Sequence, residues 1–258
     1  MTDMRYALLD PTGNRTVLAE TPTPEAEQPA VAARLMELEP SAEQVGFYSA
    51  DGGRISVRMA GGEFCGNASM CAAVLAALDR GVSRGTLSIA VSGAADPVEV
   101  TVCALEDGGY RGTVRMPRPV SVGTETFPDG SSFPVVRFDG ISHVVAEGAL
   151  SCDEAEAAAE EWCRYLGADA LGIMLFDREA GTLAPLVYVP AAGTLCWERS
   201  CASGTTAVGA YLASAGSPIS LSLKQPGGIL RIEADPSGDL FLTGTVRLIR
   251  RRTVRETE

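Results

Sequence analysis

Two stretches of the chain are apolar on almost every side of a helical wheel. One is Cys65-Gly-Asn-Ala-Ser-Met-Cys-Ala-Ala-Val-Leu-Ala-Ala-Leu and the other is Cys201-Ala-Ser-Gly-Thr-Thr-Ala-Val-Gly-Ala-Tyr-Leu-Ala-Ser. A helix without a polar face has to be buried on all sides, so each predicts a central helix, ending near Gly81 in one case and near Gly216 in the other. Around them the pattern changes to the two-residue alternation of strands. Leu87-Ser-Ile-Ala-Val and Val98-Glu-Val-Thr-Val follow the first helix, and Ile219-Ser-Leu-Ser-Leu and Leu230-Arg-Ile-Glu-Ala follow the second. Two further helices are amphipathic. Ser151-Cys-Asp-Glu154 is a capping box that opens a helix to about Tyr165, and Pro29 to Leu38 is the other. Thr21 to Pro29 reads as a surface connection, Pro117 to Thr126 as the crossing between domains, and Arg247 to Arg255 as a strand followed by a solvated tail.

The order of these elements repeats. In each half a cysteine, small polar residues, an apolar helix and two strands lead to Gly112-Thr-Val-Arg-Met or Gly244-Thr-Val-Arg-Leu. The offsets, 201 − 65 = 136 and 244 − 112 = 132, are about half of the 258 residues. A duplicated unit of that length can bury its own core. The expected fold is therefore α/β (α+β), with two pseudo-symmetric domains, each a strand-rich layer wrapped round a central buried helix. The expected division is 1–118, carrying Cys65, and 119–258, carrying Cys201, with the last strand free to return to the N-terminal domain.

Composition narrows the function. A net charge of −12 argues against a nucleic-acid or membrane-surface partner. With one histidine, His143, and one lysine, Lys224, no multi-histidine metal site can form, and pyridoxal phosphate would have to use Lys224; no metal and no cofactor are expected. The longest clean apolar run, Met70 to Leu78, is too short to span a bilayer, and the start lacks a signal-peptide pattern, so a cytoplasmic location is expected. Gly81-Val-Ser-Arg-Gly85 matches a hydrolase nucleophile pattern, but a helix precedes it and a strand follows, the reverse of what that elbow needs. The surroundings of Lys224 exclude a phosphate-binding loop.

Of seven cysteines, Cys71, Cys103, Cys152, Cys163 and Cys196 read as packing. Cys65 and Cys201 differ because their settings are duplicated. Each is placed at the N-terminus of a buried helix, where unpaired N–H groups and the helix dipole favour a thiolate. The same N–H groups suit a carboxylate ligand. Gly66, Ala202 and Gly204 leave the backbone approachable, and Asn67 and Ser203 add side-chain donors two residues after each cysteine. A pseudo-twofold relation would set one thiol on each face of a substrate carbon, the arrangement that removes a proton from one side and returns it from the other.

Gly-Gly-Glu-Phe-Cys65-Gly-Asn-Ala and Glu198-Arg-Ser-Cys201-Ala-Ser-Gly-Thr resemble the two signature segments of diaminopimelate epimerase-like, cofactor-independent amino-acid racemases. Pro11-Thr-Gly-Asn14, Ser142-His143-Val-Val and Leu171-Gly-Ile-Met extend the resemblance along the chain. It implies catalysis by the pair Cys65 and Cys201 on an amino-acid substrate, with Asn14 in the substrate site. Asn67 stands where proline racemases carry histidine. Val187-Tyr-Val-Pro190, Ile141-Ser-His143 and Leu171 replace the arginine and asparagines that clamp diaminopimelate. Glu43-Gln-Val-Gly-Phe and Leu195-Cys-Trp-Glu-Arg-Ser-Cys201 are instead similar to histidine racemases of opine-metallophore pathways. There Glu43 would pair with an imidazole. Glu198 would meet the substrate ammonium or raise the pKa of a thiol, and His143 would orient a cysteine or take its proton. Histidine is the leading substrate, with another amino acid or diaminopimelate as the alternative. A non-catalytic ligand-binding or thiol-sensing protein remains the reading from another class, and a homodimer stays open.

Overall fold

In the computed structural model, which describes residues 3–255, each alternating segment becomes a strand and each apolar run a helix. The chain divides into two units, Met1–Arg115 with Thr243–Glu258, and Met116–Leu242.

The first unit contains β1 (Met4–Pro11), β2 (Thr16–Ala19), α1 (Gln28–Leu38), β3 (Gln44–Asp51), β4 (Arg54–Met59), α2 (Gly66–Arg80), β5 (Arg84–Val91), β6 (Val98–Ala104) and β7 (Tyr110–Met116). The second contains β8 (Ser121–Thr126), β9 (Ser132–Phe138), β10 (Ile141–Glu147), α3 (Cys152–Leu166), β11 (Leu171–Asp177), β12 (Thr182–Val189), β13 (Thr194–Trp197), α4 (Ala202–Ala213), β14 (Ile219–Gln225) and β15 (Gly228–Ala234). β16 (Leu240–Val254) starts in the second unit and ends in the first.

In the first unit the strands run β1-β2-β3-β4-β5-β6-β7-β16, and β16 pairs back with β1, closing a barrel. Two of its neighbours are parallel, β2–β3 and β4–β5, and their crossovers are α1 and α2. The second unit repeats the device: β10–β11 and β12–β14 are parallel, and α3 and α4 make those crossovers. Parallel neighbours need such helical crossovers, so the repeat seen in sequence is a repeat of paired βαβ units.

The apolar helices take the inside positions. α2 packs against β1 through β6, and every residue from Gly66 to Ala77 is buried. α4 packs against β9, β10, β11, β14 and β15. The helices with a polar face lie on the outside of their sheets. α3 sets Ala155, Ala159, Trp162 and Cys163 against Val144, Ile173 and Leu186, with Trp162 stacked on Phe127 at 4.1 Å. The Ser151–Glu154 capping box forms in full. α1 sets Ala32 and Leu35 against Tyr6, Leu8 and Val45. α2 stops at Gly81 in the left-handed conformation, whereas α4 stops at Ala213, before Gly216.

The structure refines two expectations. Within the segment read as a crossing, Ser121–Thr126 is strand β8, paired with β9. The arginine-rich end is the strand expected, and it takes up nearly the whole segment: β16 continues to Val254 against β1, with a bulge where Ile249 is skipped between Leu8 and Leu9. The arginines are held in place by carboxylates spread over the first unit. Arg247 pairs with Asp107, Arg250 with Glu39, and Arg251 with both Glu20 and Asp79. A run of like charge is stable as a strand when each charge meets an opposite one.

Candidate active site

Cys65 is the N-cap of α2. Its extended backbone lets Sγ accept the N–H of Ala68 at 3.4 Å, while its carbonyl accepts both the N–H of Ser69 at 2.9 Å and the Ser69 hydroxyl at 2.7 Å. The segment leading to it is pinned from the β5–β6 turn. The Ser92 hydroxyl donates to the Glu63 carbonyl at 2.7 Å, and a Cβ on Gly93 would lie 2.4 Å from the Phe64 nitrogen, so only glycine fits there.

A chain of amides runs from the thiol to Glu43. The Cys65 S–H donates to Gln44 Oε1 at 3.3 Å. Gln44 Nε2 donates to Asn14 Oδ1 and to Thr16 Oγ1, each at 2.8 Å, and Asn14 Nδ2 donates to Glu43 Oε2 at 2.9 Å. A carboxylate only accepts, so Glu43 sets the polarity of the chain and turns the Gln44 carbonyl towards the sulfur. Asn14 is delivered by a strained turn: Thr12, with φ 56°, is the one non-glycine residue at positive φ among the described residues. Asn67, in the first turn of α2, is 2% exposed, and its Oδ1 has no hydrogen-bond partner. A buried, unsatisfied acceptor beside a thiol is a place for a ligand's donor.

Cys201 repeats this local geometry on α4. It is the N-cap; Sγ accepts the N–H of Gly204 at 3.3 Å and lies 3.5 Å from Ser203 Oγ. Its carbonyl accepts the Thr205 N–H at 3.0 Å and the Thr205 hydroxyl at 2.7 Å. Ser69 and Thr205 thus do the same work 136 residues apart (205 − 69), the spacing of the cysteines themselves. Burial pushes the Cys201 thiol well above its ordinary pKa, and the Glu198 carboxylate, bonded to it, pushes the same way. Gly204 is small for a packing reason, since a Cβ there would lie 2.1 Å from Met174 Sδ. Ala202 is buried in the same first turn, and Ser200, just before the cysteine, has a fully buried hydroxyl without a partner.

His143 sits on β10, fully buried, directly beside Gly172 of β11. Burial lowers its pKa to about 3, so the ring is neutral. Neither ring nitrogen has a hydrogen-bond partner, so the ring makes no bond to a cysteine. A Cβ on Gly172 would lie 2.1 Å from His143 Nδ1, and Met174 packs between this glycine and Gly204. Sequence reading missed Gln44, Gln225, Ser92 and Ser200. The only sequence signal was the position of Gln44 next to Glu43. Among the described residues no group of three or more His, Cys, Asp or Glu side chains could hold a metal ion.

A strand-rich fold with two central helices, each capped by a cysteine, is the epimerase fold. Solved structures share that fold. One is described as a predicted epimerase from Pseudomonas aeruginosa (TM-score 0.73, 17% identity, covering 98% of this chain and all of that one). Another is a hydroxyproline epimerase from Agrobacterium vitis with bound trans-4-hydroxy-L-proline (TM-score 0.71, 14% identity, covering 98% and 91%). The chain belongs to the histidine racemase family: residues 3–248 match the family described as "Histidine racemase CntK N-terminal domain". It is 33% identical to a histidine racemase of Fusobacterium nucleatum over 257 residues, covering 95% of this chain and 93% of that protein. It is 28% identical to one of Staphylococcus aureus over 222 residues, covering 81% and 79%. No helix among the described residues is long and apolar enough to cross a membrane.

Proposed function

We propose that this racemase interconverts L- and D-histidine by 1,1-proton transfer at Cα, with Cys65 and Cys201 as base and acid. The observation that carries the reading is the identical capping geometry of the two cysteines, each with its sulfur on the N–H three residues on and its carbonyl on a hydroxyl four residues on. One thiolate takes the Cα proton, its bonding electrons remain on the substrate as carbanion character, and the other thiol gives its proton to the opposite face. The raised pKa of Cys201 suits the thiol that holds its proton at rest, so Cys65 is the one that becomes the base, releasing to solvent the proton it shares with Gln44 and keeping the Ala68 N–H on its sulfur. The remaining N–H groups of the two first turns, at Gly66, Asn67, Ala202 and Ser203, are suited to the α-carboxylate, where they offset the developing charge. Asn67 Oδ1 and Glu198 are the acceptors for the substrate ammonium. Glu43 and Asn14 meet the imidazole, and His143 serves as a neutral support packed at Gly172, behind Met174. Gly204 enters as the donor to the Cys201 sulfur.

Support for histidine comes from the family and from Glu43, a carboxylate already tied into the Cys65 network. The test is incubation with a panel of L-amino acids in D₂O under reducing conditions, following loss of the Cα–H signal by NMR. Histidine should exchange fastest. Faster exchange of another amino acid would overturn the substrate, and no exchange with any would overturn the enzyme.

A further inference from the structure

Cys201 is locked through both of its peptide groups by a single closed ring of hydrogen bonds. Its N–H donates to Gln225 Oε1 at 2.9 Å, Gln225 Nε2 donates to Thr205 Oγ1 at 2.8 Å, and Thr205 Oγ1 donates back to the Cys201 carbonyl at 2.7 Å. Gln225 is 4% exposed and Thr205 is fully buried, so water does not compete with the ring. Gln225 comes from the end of β14, 24 residues beyond the cysteine. At Cys65 the neighbouring glutamine, Gln44, turns its carbonyl to the sulfur instead.

We infer that Gln225 is a positioning residue for Cys201, acting with Thr205 to set the direction of the Cα–Cβ bond and hence of the sulfur. The peptide groups on either side of a residue determine its φ and ψ, and Cys201 stands at −116° and 112°, outside the helix that begins one residue later. Nothing in that helix holds an N-cap N–H, which would otherwise be a buried orphan. The ring supplies both the missing acceptor and the tie to the first turn. Proton transfer between carbon and sulfur depends steeply on placement, so loosening this hold lowers the rate of the chemical step more than substrate affinity. This inference rests on the racemase reading for its kinetic consequence, but its structural part stands without it.

Gln225→Leu is expected to lower kcat for racemisation by roughly tenfold to a hundredfold, with KM changed by less than about twofold. Thr205→Val, which removes one hydroxyl and leaves the backbone cap intact, should act in the same direction, and Thr205→Ser should restore the ring and the rate. Because the ring acts as a unit, Gln225→Leu/Thr205→Val should be no slower than the slower single variant. Multiplied losses in the double variant, or a Thr205→Ser as slow as Thr205→Val, would overturn the proposal. If Gln225→Leu does not fold, the Thr205 pair still decides. A readout free of turnover is hydrogen exchange at the Cys201 amide, measured by NMR. Exchange should quicken at Cys201 in Gln225→Leu while the amides of α2 stay as in the wild type. Unchanged protection at Cys201 overturns the proposal whether or not the chain racemises histidine. Lost protection in a chain that exchanges no amino acid in D₂O overturns the functional reading alone.

Discussion

At the scale of single residues, the two thiols have different neighbours despite the shared capping geometry. Cys65 meets a neutral amide, Gln44, and Cys201 meets a carboxylate, Glu198. Replacing Glu198 by Gln removes a negative charge that opposes ionisation, so the Cys201 thiol should deprotonate at lower pH. Thiolate absorbance titrated in a Cys65→Ser background would show this, and an unmoved or raised midpoint would separate Glu198 from the sulfur. Cys65→Ser and Cys201→Ser should each abolish racemisation, because a hydroxyl does not supply the anionic base near neutral pH. Elimination from a β-chloro amino acid needs only the base facing the Cα proton. Each variant should therefore keep elimination from one enantiomer, with opposite preferences; the same preference in both would refute bases on opposite faces of Cα. Both cysteines were legible in sequence because duplication set them apart from five others. Gln44 and Gln225 were not, because an isolated glutamine has no pattern until the fold shows what it touches.

At the scale of elements, the parallel pair β10–β11 is shaped by one missing side chain. His143 and Gly172 are register partners, and the imidazole fills the space that a side chain at 172 would need. Gly172→Ala should lower stability by about 1–3 kcal/mol, the usual cost of overfilling a packed interior, measurable as a fall in the urea midpoint. Combining it with His143→Ala should recover part of that loss. An equal loss in both backgrounds would show that the ring is not what the added methyl meets. The central helices and the strands β5, β6, β14 and β15 were readable from periodicity, since an all-round apolar helix has one solution, burial. β8 was not, because its Ser, Gly and Thr residues carry no alternation of apolar positions.

At the scale of the whole molecule, the last strand closes the first barrel, and carboxylates from distant parts of the chain hold it. Glu39, at the end of α1, is 1% exposed and takes hydrogen bonds from the Tyr6 hydroxyl at 2.8 Å and from Arg250 at 2.5 Å. Arg250→Ala leaves that carboxylate buried without its cation and should cost on the order of 3 kcal/mol. Arg164→Ala breaks an exposed pair with Glu160 on α3 and should cost less than about 1 kcal/mol. Thermal denaturation of the two variants, compared with the wild type, tests the contrast; similar losses would mean that Glu39 is not held by Arg250.

The amino-acid sequence by itself determined the elements whose signal is local or repeated. These are the two central helices, the capping box of α3, the alternating strands, and the two cysteines singled out by a 136-residue offset (201 − 65). Tertiary structure decided everything that depends on what lies across from a residue. It carried the arginine strand on to Val254 and set Asp107, Glu39, Glu20 and Asp79 against its charges. It gave Gly172 and Gly204 their reason in the side chains that fill their vacant space. It joined Glu43 to Cys65 through two amides, and Cys201 to a glutamine on another strand. Hydrogen bonds and packing act over a few ångströms in space, and only the folded chain brings residues so far apart in sequence within that reach.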